Sequence, residues 1–211
     1  MSFTHRIEDL ESLRALYGQT TETTVSKIID RVDEGARSFI AASPFLVIAS
    51  TSASGSDASP RGGPPGFVQV LDERRLAFGD LSGNRILDTY RNIVEHPHVG
   101  LIFVIPGMDE TLRVNGRACL TTDPEVLERC RIEGRLPKVA VGIEVEQCYV
   151  HCAKAFRRSN LWKPATWPSA EERPSAACLL VDHLGIDIEP EVLDAALEES
   201  YAVAMWEPGA E

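Results

Sequence analysis

Three stretches of the chain combine cations, hydroxyls and glycines in ways that suit an anion carried by a flat ring. The first is Asp80-Leu81-Ser82-Gly83-Asn84-Arg85. It reads as a strand end running into a helix start, where backbone N–H groups lack intrahelical partners and the helix dipole is positive. Ser82 can donate from its hydroxyl and Arg85 can make a bidentate contact with a phosphate. The same residues also read as a plain N-cap, Ser82 or Asn84, beside a solvated Arg85. The second stretch is Ser59-Pro60-Arg61-Gly62-Gly63-Pro64-Pro65-Gly66. An arginine next to residues without side chains lets a planar ligand approach the backbone; a long β-turn accounts for the same composition. The third is Lys154–Lys163, with four cations and an aromatic toward each end, Phe156 and Trp162. Residues 147–170 contain no Asp or Glu. Such a patch suits a phosphate plus a ring, or else forms a surface helix paired with the acidic tail.

Other chemistries lack their residues. There is no G-x-G-x-x-G after a strand, no Walker A, no H-E-x-x-H and no G-x-S-x-G. Paired carboxylates occur only in solvated runs such as Asp109-Glu110 and Glu198-Glu199. Cys148, His151 and Cys152 look like ligands, but no second ligand pair accompanies them, and His96-Pro97-His98 is equally unsupported, so no metal site is expected. With no good general base, demanding chemistry would have to come from a cofactor.

The elements that must position these stretches follow from periodicity. Ile7, Leu10, Leu13, Leu16 and Tyr17 share a helical face that ends at Gly18. Val25, Ile28, Ile29 and Val32 predict a second helix, and Phe39 and Ile40 a short third one closed by Ser43-Pro44. Strands are predicted at Phe45–Thr51, Leu76–Phe78, His98–Ile105, Leu112–Thr121 and Val139–Cys152, while Ser59–Gly62 and Phe67–Leu71 flank a Gly-Gly-Pro-Pro-Gly stretch that cannot be a regular strand interior. His98–Ile105 is apolar throughout and reads as buried on both faces. Ile86, Leu87, Tyr90, Ile93 and Val94 predict a helix opened by Ser82-Gly83-Asn84. Asp123-Pro124 opens another, with Asp as N-cap and Pro at N1. About six strands joined mostly by hairpins predict a mainly β, α+β fold, a small six-stranded antiparallel barrel with flanking helices. Such a barrel has little interior room, so a ligand would sit on its outer face or between two copies. The organisation expected is N-terminal helices packing on the barrel (residues 1–43), the barrel (44–163), and a linker with an acidic helical extension (164–211).

The 211 residues carry a formal net charge of −11. Residues 171–211 hold eleven acids and one cation, leaving residues 1–170 near neutral. This balance argues against general nucleic-acid binding, which needs a cationic face. No apolar run approaches the ~20 residues of a membrane span. The five cysteines include no C-x-x-C pair, and the opening Met1–Arg6 shows no signal-peptide core, so a cytoplasmic protein with reduced thiols is expected.

In order and spacing the motifs resemble the pyridoxamine 5′-phosphate oxidase-like, FMN-binding split-barrel family, in particular its branch of FMN-dependent enzymes of about this length. The residues that carry the resemblance begin with Ser59-Pro60-Arg61-Gly62, Leu76-Ala77-Phe78-Gly79-Asp80 and Asn84-Arg85. They continue through Asn92-Ile93, His96-Pro97-His98-Val99-Gly100-Leu101 and Arg113-Val114-Asn115-Gly116-Arg117-Ala118 to Cys152–Trp162. The resemblance spans roughly residues 36–165.

It implies a dimeric six-stranded split barrel with FMN at the subunit interface. Arg61 and Arg85, with Asn84 beside it, would take the FMN phosphate, within a site that also includes Ser59, Asp80 and Ser82. Backbone around Gly62, Phe67 and Val68 would line the isoalloxazine. Asn115-Gly116 and the Lys154–Trp162 segment would close the site from the partner chain, with Lys154 or Arg158 near flavin N1. The implied activity is that of an FMN-dependent oxidoreductase acting on a small molecule. A non-catalytic flavin-binding or sensing protein, or a split-barrel binder of deazaflavin or haem, stands as the alternative. The vitamin B6 oxidases of the family carry two adjacent basic residues where Asn84 takes the first place, and an Arg-x-His near the carboxyl end that this chain lacks. Oxidation of pyridoxamine phosphate is therefore not expected.

Overall fold

The structure, a computed structural model, describes residues 3–81, 83 and 85–206. Three capped helices come first. In α1 (Leu10–Tyr17) Asp9 accepts from the Ser12 N–H, in α2 (Glu22–Ser26) Thr21 accepts from Thr24, and in α3 (Glu34–Ala42) Asp33 accepts from Ala36. Gly18, at φ 72°, ends α1 as its position suggested. The second helix is shorter than its periodicity predicts. It stops at Ser26, and Ile29 instead exchanges two backbone hydrogen bonds with Cys148, at 3.1 and 2.7 Å. Val32, in turn, donates its N–H to the Glu73 carbonyl at 2.7 Å. Pairing with a distant strand outweighs the local helical period, as the β-branched Ile and Val make easy. Helix α3 contributes Ala36 and Ile40 to the core, whereas α1 and α2 bury no residue.

Seven strands follow: β1 (Phe45–Ser52), β2 (Gly55–Gly62), β3 (Gln69–Val70), β4 (Arg75–Gly79), β5 (His98–Val104), β6 (Thr111–Thr121) and β7 (Ala140–His151). They form one sheet in the order β2-β1-β5-β6-β7-β4-β3, with every neighbouring pair antiparallel. The fold is the mainly β one with flanking helices that the sequence predicts. The strand count is seven rather than six because the two-residue β3 pairs with Ala77 and Leu76.

The core lies on one face of the sheet. Leu46 and Ile48 of β1, Leu101 and Phe103 of β5, Val114 of β6 and Val141 and Ile143 of β7 are fully or almost fully buried there. Strand β5 departs from expectation. Its burial alternates, with Val99, Leu101 and Phe103 inward while Ile102 is 39% exposed, so only one face of this apolar run is covered. Between β6 and β7 the register shifts: Asn115 faces Gln147, but Gly116 faces Val145. This bulge returns Val114, Cys148, Gly116 and Val145 to the same inner face on either side of the shift.

Helix α4 (Asp88–Glu95) lies against β1 and β2. Helix α5 (Pro124–Arg129) has Asp123 as its cap and proline at its start, as predicted. Helix α6 (Lys154–Ser159) follows β7 directly. The acidic extension forms α7 (Ala176–Leu184) and α8 (Pro190–Ala204), and Trp206 beyond them packs against the main core. No helix among the described residues is long and apolar enough to cross a membrane.

Candidate functional site

On β2, Asp57, Ser59 and Arg61 stand opposite Ser50, Ile48 and Leu46 of β1. Those three β1 residues are buried, so strand alternation turns the β2 polar trio toward the same inner side. Helix α4 closes over this end of the sheet and meets the trio with polar groups. Thr89 donates its hydroxyl to Asp57 at 3.2 Å, and Asn92 donates to Ser50 Oγ at 3.0 Å. The Arg61 guanidinium carbon lies 5.9 Å from the centre of the Tyr90 ring, and the Tyr90 hydroxyl donates to Asp80 Oδ1.

Arg61 is also held within its own strand. Its Nη1 donates to Ser59 Oγ at 2.5 Å and to the Pro60 carbonyl at 2.7 Å. These bonds leave Nε and Nη2 without a partner among the described residues. Burial raises the Tyr90 phenol well above its ordinary value, the hydrogen bond to Asp80 and that residue's charge raise it further, and Arg61 opposes them. Tyr90 therefore remains a protonated donor across the ordinary pH range. Periodicity placed Tyr90 on an apolar helix face and gave no sign of this role. The available signal was its type, since a buried tyrosine needs a polar partner for its hydroxyl.

The connection from β4 to α4 differs from its prediction. Asp80 is anchored by its N–H to the Val139 carbonyl at 2.9 Å. Arg85 and Leu87 adopt left-handed conformations, at φ 59° and 62°. Helix α4 accordingly starts at Asp88, so Ile86 and Leu87 are exposed outside it and no side chain caps its start. Arg85 is exposed on this connection, while the predicted ligands Ser82 and Asn84 lie outside the described residues.

The glycine-rich stretch is shaped by packing. A Cβ on Gly63 would come within 2.7 Å of Phe67 Cβ, and Gly66 has φ +82°. Phe67 and Val68 are 4% and 3% exposed, and the Phe67 ring meets Phe78 edge-on at 6.4 Å. Their side chains belong to the core, which leaves their backbone and the exposed Gly62 as the parts able to face a ligand.

The remaining predicted residues stand elsewhere in the fold. Asn115 donates to Gln147 Oε1 at 2.8 Å, beside the β6–β7 bulge. Lys154 and Arg158 are exposed on α6. Trp162 donates its indole N–H to the Met108 carbonyl at 2.8 Å and packs on Phe156 at 5.7 Å. Arg157 pairs at 2.9 Å with Asp109 in the turn before β6, not with the acidic tail. Strands β1, β5 and β6 intervene between β2 and β7, so within one chain Arg61 and the α6 segment are not brought together. A cavity of about 640 Å³ lined by Asp72, Arg74, Arg75, Glu144 and Glu146 lies at the β3–β4 turn, away from Arg61. Among the described residues no cluster of His, Cys, Asp and Glu could hold a metal ion.

Solved structures with similar folds include HupZ from Group A Streptococcus, 16% identical at a TM-score of 0.47, covering 56% of this chain and 93% of that one. A Clostridium acetobutylicum protein related to general stress protein 26, of the pyridoxinephosphate oxidase family, is 11% identical at 0.42, covering 56% and 85%. General stress protein 26 from Bacillus anthracis is 15% identical at 0.38, covering 54% and 88%. A search of curated proteins found no match. The family model described as pyridoxamine 5′-phosphate oxidase matches residues 32–152, more than half of the sequence, and the chain belongs to that family.

Proposed function

We propose that the protein is an FMN-binding flavoprotein, an FMN-dependent oxidoreductase of the pyridoxamine 5′-phosphate oxidase family, acting as a cytoplasmic homodimer with the nucleotide between the two chains. The observation that carries this reading is Arg61. Its guanidinium is oriented by Ser59, Pro60 and the Tyr90 ring, forms no ion pair among the described residues, and keeps two nitrogens there open for a phosphate. Gly62 next to it is exposed, and its Cβ position faces Pro44 and Phe45 on the opposite side of the strand. These residues fit a phosphate-bearing flavin, with Arg85 as a second cation for the phosphate. Bound FMN would supply the hydride acceptor, and the chain's own residues would bind and orient it.

The dimeric part of the reading draws on surfaces left uncovered in one chain. Phe45, Ile102 and Val150 are exposed on the sheet, as is the apolar face of α1. The separation of α6 from Arg61 is consistent with the two completing one site from different chains.

The test is the visible spectrum of the purified protein, followed by mass identification of the molecule released on denaturation. A flavin spectrum and released FMN are expected. A colourless protein that takes up no added FMN overturns the reading. A non-catalytic flavin binder is the second reading, favoured by one feature: Tyr90, the titratable hydroxyl at this site, is held protonated and cannot serve as a base. Reduction of the bound flavin by NADH, NADPH or a panel of small donors separates the two.

A further inference from the structure

We propose that Tyr90 is a positioning residue that holds Asp80 away from Arg61, so that the guanidinium stays open to a phosphate monoester. The inference rests on the flavin-phosphate reading of Arg61 and adds to it the means by which that arginine is kept available.

Arg61 and Asp80 meet the same side chain, the Tyr90 ring lying on Arg61 and the Tyr90 hydroxyl donating to Asp80. Asp57 shares the inner face of β2 but stands four residues from Arg61, about 13 Å along an extended strand. Asp80 is therefore the carboxylate placed to neutralise the half-buried guanidinium and occupy the donors that a phosphate needs. It does not pair with Arg61. Consecutive residues of α4 take one carboxylate each: Thr89 donates to Asp57 and Tyr90 to Asp80. The Tyr90 ring also packs against Arg61 through its face. A cation–π contact holds the guanidinium without consuming any N–H donor. One side chain thus restrains the competing anion by its hydroxyl and the cation by its ring. Because the tyrosine is half-buried and its acceptor is charged, this bond is of the stronger kind.

Removing only the hydroxyl frees Asp80 to turn toward Arg61. The experiment compares the wild-type protein, Tyr90→Phe and the double variant Tyr90→Phe with Asp80→Asn, each titrated with FMN and with riboflavin, which lacks the phosphate. Tyr90→Phe is expected to weaken FMN by about tenfold, the scale of one charge-assisted contact, and to leave riboflavin unchanged. Asp80→Asn, which removes the competing charge, is expected to restore FMN affinity in the double variant. A crystal structure of Tyr90→Phe is expected to contain an Arg61–Asp80 ion pair. Unaltered FMN affinity in Tyr90→Phe, an equal loss for FMN and riboflavin, or no recovery in the double variant overturns the proposal. If the wild-type protein binds no FMN, the flavin reading itself fails. The Tyr90→Phe structure still judges Tyr90 in that case, since an unpaired Arg61 there overturns its role as a separator.

Discussion

Gly116 of β6 lies directly beneath the Glu144 carbonyl of β7: a Cβ at Gly116 would stand 2.0 Å from that oxygen and 3.0 Å from its carbon. The neighbour is backbone in the longest strand pairing of the sheet, so it cannot swing aside as a flexible side chain would. The register shift between Asn115 and Gly116 therefore depends on glycine. Gly116→Ala is expected to cost about 3 kcal/mol, at the upper end for overpacking. Urea denaturation measures it, and a loss below about 1 kcal/mol would show that the bulge relaxes freely.

Phe78 tests the centre of the core. It is 1% exposed on β4 and packs edge-on against Phe67. Phe78→Ala is expected to destabilise the fold by about 3–5 kcal/mol through lost burial and the cavity left behind. Because Phe67 precedes β3 and follows the glycine-rich stretch, the same variant should loosen that stretch. Hydrogen exchange of the amides of residues 63–70 is the measurement, and unchanged protection there would separate the stretch from the core.

Arg61 and Arg85 are expected to act on the phosphate and not on the ring. Alanine at either position should weaken FMN binding by about 1.5–3 kcal/mol, the range for a charge-assisted contact, while riboflavin affinity stays unchanged. Flavin fluorescence titration reads both ligands. An arginine whose removal affects both equally, or neither, does not contact the phosphate.

The five cysteines divide by burial. Cys130 and Cys148 are buried, and burial pushes both thiols from 9.0 up to about 11, with Arg129 opposing the shift at Cys130 and Asp33 adding to it at Cys148. Cys119, Cys152 and Cys178 are exposed. A thiol-alkylating reagent at pH 8 should modify these three in the native protein and spare the other two, as mass mapping would reveal. The linkage has a definite sign. Between the unfolded value and about 11, the unfolded chain has released protons that the folded chain retains. The stabilising contribution is thus complete below the unfolded value and is lost as pH rises through that interval. The denaturation midpoint should fall over that range, and Cys148→Ala should flatten the fall. An equally steep profile in the variant would assign the alkaline loss to other groups.

The sequence alone determined what depends on neighbours along the chain. Asp9, Asp33 and Asp123 cap helices because a short carboxylate reaches an N–H two or three residues ahead. Gly18 ends α1, and alternation set the inward faces of β1 and β6, because both are properties of local backbone geometry. The order of motifs was enough to indicate the family, and Arg61 and Asp80 were singled out by their types and positions. Tertiary structure decided what depends on partners far away in sequence. Ile29 left its helical period because Cys148 offered it two backbone bonds. Within Phe67–Leu71 only Gln69 and Val70 became a strand, because those two pair with Ala77 and Leu76. Tyr90, 29 positions from Arg61 in the sequence, joins it only because α4 folds over β2. Hydrogen bonding and side-chain packing across the sheet are indifferent to sequence distance, and no local pattern encodes which distant group will satisfy a given N–H, hydroxyl or charge.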